Sequence, residues 1–209
     1  MSNEVKKEKV QMDPKYITEL TVKLFATCVI VAGLLGLVNM VTAPNIAAIN
    51  KAKTEAAMMA VVADAENSTF SDALEITADM EAAAASAGGT VTEAYEVLVG
   101  GAPAGHALKV VASGSQGSIE MMVGLDADGA VTGVSVVKHA ETAGIGTKVM
   151  GNEPNNDGVP VLDQFIGKSA ADGTLAVGTN VTAITGATVS SKGVTAGVNT
   201  ALAVAGVLG

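Results

Sequence analysis

The stretch SIEMMVGLDADGAVTGVSVVKH, residues 118–139, sets two apolar runs on either side of Asp126, Ala127, Asp128 and Gly129. Strand-forming residues flanking a cluster of turn formers read as two strands joined by a tight connection. Upstream, AYEVLVGG (94–101) and GHALKVVASG (105–114) alternate apolar and polar residues in the same fashion, so an antiparallel sheet accumulates. Helical signals surround it. FSDALEI (70–76) and the Ala-rich MEAAAASAGG (80–89) predict a short helix ending at Gly88 and Gly89, and VPVLDQFIG (159–167) predicts another. LAVGTNVTAIT (175–185) predicts one more strand. Beyond it, Val194, Val198, Leu202 and Ala205 form one apolar stripe of a terminal helix, with Ser190 or Ser191 as its cap. The fold class is α+β, an antiparallel sheet with flanking helices.

A chain of 209 residues holds one well-buried domain plus appendages. Small side chains must fill its core, because Phe numbers 3, Tyr 2 and Trp 0. That scarcity removes stacking platforms, and the net charge of −9 repels polyanions, so nucleic-acid binding has no support. The single cysteine, Cys28, excludes a disulfide framework and a cysteine-ligated iron–sulfur cluster within this chain. His106 and His139 form no HxxxH or HExxH pattern and the acids have no ligand-loop spacing, so no metal site is expected. Any redox chemistry requires a borrowed cofactor.

LFATCVIVAGLLGLVNMV, residues 24–41, contains no charged residue and is about as long as a bilayer-spanning helix. A cleaved signal has a shorter apolar region, and a soluble core helix of this length shows a polar face, so an uncleaved anchor is the reading taken. Lys6, Lys7, Lys9, Lys15 and Lys23 precede the span, against Lys51 and Lys53 after it. This bias places the N-terminus in the cytoplasm. The expected organisation is a cytoplasmic tail (1–23), a transmembrane helix (24–43), a stalk helix (44–66) and an extracytoplasmic domain (67–209). Pro44 suits the first turn of the stalk.

Two loops of that outer domain are rich in chemistry. ITGATVSSKGV, residues 184–194, gathers Thr185, Thr188, Ser190 and Ser191 between a strand-like and a helix-like run. A helix N-terminus presents unpaired N–H groups and a partial positive charge suited to a phosphate. Gly186 permits close backbone approach and Lys192 adds a full charge; the bland alternative is that the hydroxyls merely cap the helix. HAETAGIGTKV, residues 139–149, places a histidine, a carboxylate, two threonines and two glycines where the chain leaves the sheet. Taken alone, His139 and Glu141 read as a surface pair capping a turn before they read as catalytic groups.

Together, the anchor and the two loops resemble the FMN-binding family that comprises the G subunit of the ion-translocating Rnf electron-transport complex and the C subunit of the Na+-translocating NADH:quinone reductase. The resemblance covers nearly the whole chain. Its most specific element is a serine or threonine followed by Gly-Ala and an acceptor threonine, matched by Thr185, Gly186, Ala187 and Thr188. The His-x-Glu-Thr-x-Gly-x-Gly loop is matched by His139, Glu141, Thr142, Gly144 and Gly146, and QFIGKS (164–169) also resembles a family segment. Where the family usually has an acid six positions before the acceptor, this chain has Thr182.

The resemblance implies covalent FMN, esterified through its phosphate to Thr188. Thr185, Gly186, Ala187, Ser190, Ser191 and Lys192 would surround the linkage, and His139, Glu141, Thr142, Gly144, Ile145 and Gly146 would lie against the flavin, with Thr142 and the backbone through Ile145 touching the ring. It implies an electron-transfer subunit of a membrane-bound oxidoreductase linking ferredoxin and NAD to ion transport. Its partners would be the other membrane subunits, a flavin transferase during maturation, and lipid. The short chain and absence of Trp favour the Rnf G subunit over its quinone-reductase relative. A separate anchored extracytoplasmic flavoprotein and a non-redox tethered scaffold are the other readings.

Overall fold

In a computed structural model, residues 14–208 are described, so Lys6, Lys7 and Lys9 of the lysine-bias argument lie outside the described residues. The chain divides into two units, Met1–Asn50 and Lys51–Gly209. The first is helical throughout its described part and belongs to α1 (Pro14–Val61). Its apolar side chains, among them Phe25, Ile30, Leu34, Leu35 and Val38, are exposed, and its most apolar stretch has a mean hydropathy of 2.3. A helix that buries none of this surface within the chain has the character of a membrane span. Pro44 lies inside α1, so the helix beyond it is a continuation of the apolar stretch. Its missing N–H removes one ladder bond, but the helix continues through it.

The second unit is built on an antiparallel sheet with strands β1 (Ser68–Phe70), β2 (Gly89–Val99), β3 (Ala102–Ser113), β4 (Ser118–Asp126) and β5 (Val131–Lys138), ordered as in the sequence. The hairpin of residues 118–139 forms as read: Asp126 Oδ1 accepts from the backbone N–H of Asp128 at 3.0 Å and of Ala130 at 2.8 Å, closing the turn between β4 and β5. Alternation then sorts the faces. Leu108 and Val110 of β3 and Ile119, Met121 and Val123 of β4 point to one side, under α2 (Ala78–Ser86) and α4 (Thr188–Leu208). The stripe Val194, Val198 and Leu202 of α4 is buried there, and Ala205 packs at its margin, as the periodicity required. Fully burying a Leu, Val or Met side chain contributes roughly 1.5–3 kcal/mol, so this layer carries most of the domain's apolar stabilisation.

On the opposite face, Ala107 and Met122 pack with Ala57, Met58 and Val61, the last turns of α1. Polar contacts fix the same junction. Thr132 Oγ1 donates to the Val61 carbonyl at 2.5 Å, and the ammonium of Lys109 reaches Glu93 Oε1 at 2.8 Å and Thr54 Oγ1 at 3.4 Å. The Tyr95 hydroxyl donates to the other oxygen of Glu93 at 2.7 Å. Burial together with the adjoining Glu93 carboxylate pushes the Tyr95 hydroxyl up to about 12.

Three local expectations are corrected. FSDALEI is not helical: Phe70 ends β1, Leu74 donates its N–H to Ala94 O at 2.8 Å, and only Ala78–Ser86 turns helical behind a Thr77 cap. VPVLDQFIG forms just a 3-10 turn at Asp163–Phe165. LAVGTNVTAIT is an irregular segment whose Val177–Val181 bridge is isolated. Its polar groups are met locally, with Asn180 Oδ1 accepting from Ala176 N at 2.7 Å, and an Asn that satisfies nearby backbone competes with a sheet ladder.

Candidate functional site

The two chemistry-rich loops meet at the N-terminus of α4. The chain leaves β5 at Lys138 and runs through His139–Ile145 into the short helix α3 (Gly146–Met150), which packs against α4. Ser191 N donates to Ala187 O at 2.9 Å, so Ala187 supplies the first acceptor of α4 and Thr188 is its first residue. The helix therefore starts ahead of Ser190 and Ser191, which are not its caps. Their hydroxyls point inward: Ser191 Oγ donates back to Ala187 O at 3.1 Å, and Ser190 Oγ donates to Glu141 Oε2.

The site residues read from sequence separate into two layers. Glu141, Gly146, Ala187, Ser190 and Ser191 are buried, whereas His139, Thr142, Gly144, Ile145, Thr185, Gly186, Thr188 and Lys192 are exposed. Glu141 is no surface partner of a turn. It is only 7% exposed, and its Oε1 accepts from Ser115 N at 2.7 Å and Gln116 N at 3.2 Å, while its own N–H donates to His139 Nδ1 at 3.3 Å. One carboxylate thus ties the β3–β4 connection, the 139–146 loop and the first turn of α4. Burial alone would raise its pKa, but the Ser190 hydroxyl, the Gln116 and Ser115 N–H groups and nearby His139 outweigh that and hold it below its ordinary value. A side chain at Gly146 has no room, since a Cβ there would collide with Glu141 Oε2 and stand 2.7 Å from Ser190 Oγ. This is the structural reason for the second glycine of the loop.

In the outer layer the hydroxyls are not equivalent. Thr185 Oγ1 lies 2.8 Å from Asn156 Oδ1, which also accepts from Thr185 N at 3.2 Å. With Ser190 and Ser191 also engaged, Thr188 alone among these hydroxyl side chains has no hydrogen-bond partner among the described residues. It is exposed, at the start of a helix whose first N–H groups precede any intrahelical acceptor. Gly186, with φ at +83°, makes the turn that delivers it. Lys192 is one helical turn further on and lies beside Thr188 on the same exposed face. Thr142 has an exposed side chain with no capping role; Thr147 Oγ1 caps that loop by accepting from Gly144 N at 2.8 Å.

Two supports were not legible. Asn156 belongs to NEPNNDGVP, a segment whose Asn, Pro and Gly content signals a turn but not what the turn touches. Gln164, within QFIGKS, brackets the approach to the acceptor: its Oε1 accepts from Thr182 N at 2.8 Å and its Nε2 donates to Thr182 O at 3.1 Å.

Residues 114–203, which contain both loops, match the family of FMN-binding domains. The fold and these loops therefore define a flavin-binding domain attached to a long apolar helix. Along nearly its whole length the chain is similar to the G subunit of the Na(+)-translocating ferredoxin:NAD(+) oxidoreductase complex of Acetobacterium woodii, at 35% identity covering 95% of this chain and 96% of that protein. It is also 29% identical to the G subunit of the ion-translocating oxidoreductase complex of Methanosarcina acetivorans, covering 87% and 90% of the two chains. A shorter match, 41% identity over 56 residues, joins it to the corresponding subunit of Aliivibrio fischeri. The protein belongs to the G-subunit family of ion-translocating oxidoreductase complexes.

Proposed function

We propose that this chain is the subunit of a ferredoxin- and NAD-linked ion-translocating oxidoreductase that carries FMN as a phosphoester on Thr188, outside the membrane that its N-terminal helix spans. The observation that carries the reading is the exposed Thr188, whose hydroxyl has no hydrogen-bond partner among the described residues, beside three engaged hydroxyls. Attachment needs an oxygen free to bond phosphorus, and the other hydroxyls are committed to Asn156, Glu141 and Ala187. The residues around it suit the group. The α4 N–H groups and Lys192 oppose the single negative charge that the phosphodiester retains, and a helix N-terminus stabilises an exposed anion by about 0.3–1 kcal/mol. That amount orients the phosphate but does not retain a cofactor, so the covalent bond supplies retention.

When bound, FMN supplies the electron transfer, and the protein contributes position and electrostatics. Thr185, Gly186 and Ala187 shape the acceptor turn. Ser190, Ser191, Glu141 and Gly146 hold it from beneath. His139, Thr142, Gly144 and Ile145 lie at the exposed edge available to the ring. The proposed organisation keeps the tail (1–23) cytoplasmic, the span at 24–43, the stalk at 44–66 and the flavin domain at 67–209, in a bacterial plasma membrane. Partners are the other membrane subunits, the flavin transferase and lipid around the span. The G-subunit role is preferred over that of the quinone-reductase relative because the similarity runs nearly the full length of the G-subunit proteins.

Intact mass of the membrane-expressed protein tests this directly. The expected gain is one FMN less one water, lost in Thr188→Val while the domain stays folded; flavin retained in Thr188→Val would overturn the assignment.

A further inference from the structure

Strand β5 is the outer strand of the sheet, and one of its edges is open. Past Val131, whose backbone exchanges bonds with Gly167 N and Lys168 O at 2.8 Å each, no backbone bond among the described residues joins Gly133–Lys138 to any segment but β4. Val134, Val136 and Val137 there are only half-buried. A groove of about 730 Å³ runs beside Ser135, Val136, Val137 and Lys138, with Lys53, Ala56 and Ala60 of α1 on one wall and Thr147 and Met150 of α3 on the other. Those four strand residues span about 13 Å. Lys53, Lys138 and His139 line the groove and no carboxylate does, in a chain of net charge −9. Lys53 has no ion-pair partner among the described residues, and Lys138 is paired with Glu120 at 3.2 Å.

We infer that this edge is a docking site for an extended, carboxylate-bearing segment of another polypeptide, which adds to the sheet as a strand beside β5. Unpaired N–H and C=O groups of an edge strand are a template for such addition, and pockets along the edge select side chains. The register shift between Glu120 and Met121 leaves Val137 bulged next to Lys138. A bulge and a lysine discourage indiscriminate pairing at an edge. An acid opposite Lys138 and Lys53 turns that deterrent into a contact, so the same features that exclude most strands select an acidic one. A second copy of this chain is a poor occupant, because the strand it would add, β5 (Val131–Lys138), contains no carboxylate to meet these lysines. The inference stands on the sheet edge and its groove and does not depend on where flavin is attached.

A photo-crosslinking amino acid at Ser135 in the full chain, in native membranes, tests it. The expected product is a cross-link to one segment of a different protein, with Asp or Glu near the cross-linked residue. Its yield should fall about fivefold or more with Lys53→Glu and Lys138→Glu together, and return when the segment's acids are changed to lysine. Lys53→Glu alone lies outside the β ladder and keeps the test valid if Lys138→Glu disturbs the pairing with Glu120. Cross-links confined to lipid or to a second copy, or none, overturn the proposal, as does a yield indifferent to both charge reversals. Flavin mass measured on the same samples reports separately on attachment, so the two readings fail independently.

Discussion

The hydroxyl of Ser190 donates to the buried carboxylate of Glu141 across 49 residues of chain, joining the first turn of α4 to the loop that follows β5. Glu141 also holds two N–H groups of the β3–β4 connection, so its removal leaves three donors without an acceptor. Hydrogen bonds to charged groups contribute about 1.5–3 kcal/mol each, and loss of one partner costs the desolvation of the other. Glu141→Ala is therefore expected to destabilise the domain by at least about 2 kcal/mol, and Ser190→Ala by about 1 kcal/mol, in denaturant unfolding. Equal stability of Glu141→Ala and the native protein would show that the carboxylate is dispensable.

The same carboxylate imposes a pH dependence. Its folded pKa lies below the ordinary value of 4.5, so its stabilisation is full above that value and disappears as pH falls through the lower folded value. Unfolding free energies of the native protein and Glu141→Gln should differ at neutral pH and converge in acid below 4.5. A gap that stays constant down to full protonation would mean the charge is irrelevant there.

Thr142 is expected to act on the flavin and not on the fold. Its side chain is exposed and makes no hydrogen bond among the described residues, so Thr142→Ala should change stability by no more than about 0.5 kcal/mol. A shifted flavin spectrum or potential, with Thr188 still modified, would place it at the ring. An unaltered signal removes it from the site.

The Thr182 side chain makes no hydrogen bond among the described residues, and the Gln164 carboxamide brackets the Thr182 backbone on both sides. Under the proposed attachment, Gln164→Ala should lower the flavinylated fraction, whereas Thr182→Asp should change it little. The readout is intact mass at equal transferase expression. A native protein that is mostly unmodified and gains FMN on Thr182→Asp would show instead that the transferase reads the acid.

Topology is tested by protease added to spheroplasts. Digestion should remove the part of the chain beyond Pro44 and spare the segment from Lys6 to Lys15. Protection of the flavin domain would reverse the orientation inferred from lysine bias.

The sequence alone determined whatever depends on local pattern. The charge-free run of residues 24–41, the alternation in β2 to β5, the Asp126–Gly129 turn and the Val194–Leu202 stripe are periodic or compositional signals, and each names its element without reference to the rest of the chain. The motif Thr185–Thr188 likewise singled out Thr188 by its resemblance to the family pattern, but it did not show which of the neighbouring hydroxyls are hydrogen-bonded. That distinction is tertiary. Asn156 is 29 residues from Thr185, and Glu141 is 49 from Ser190, so only the folded chain shows which oxygens are committed and which has no partner among the described residues. The same holds for FSDALEI and LAVGTNVTAIT, whose local propensities yielded to distant or side-chain bonds such as Leu74 to Ala94 and Ala176 to Asn180. A hydrogen bond requires two groups at about 3 Å, and sequence fixes that separation only for neighbours along a regular element. Between distant segments, the packing of α4 on the sheet decides it.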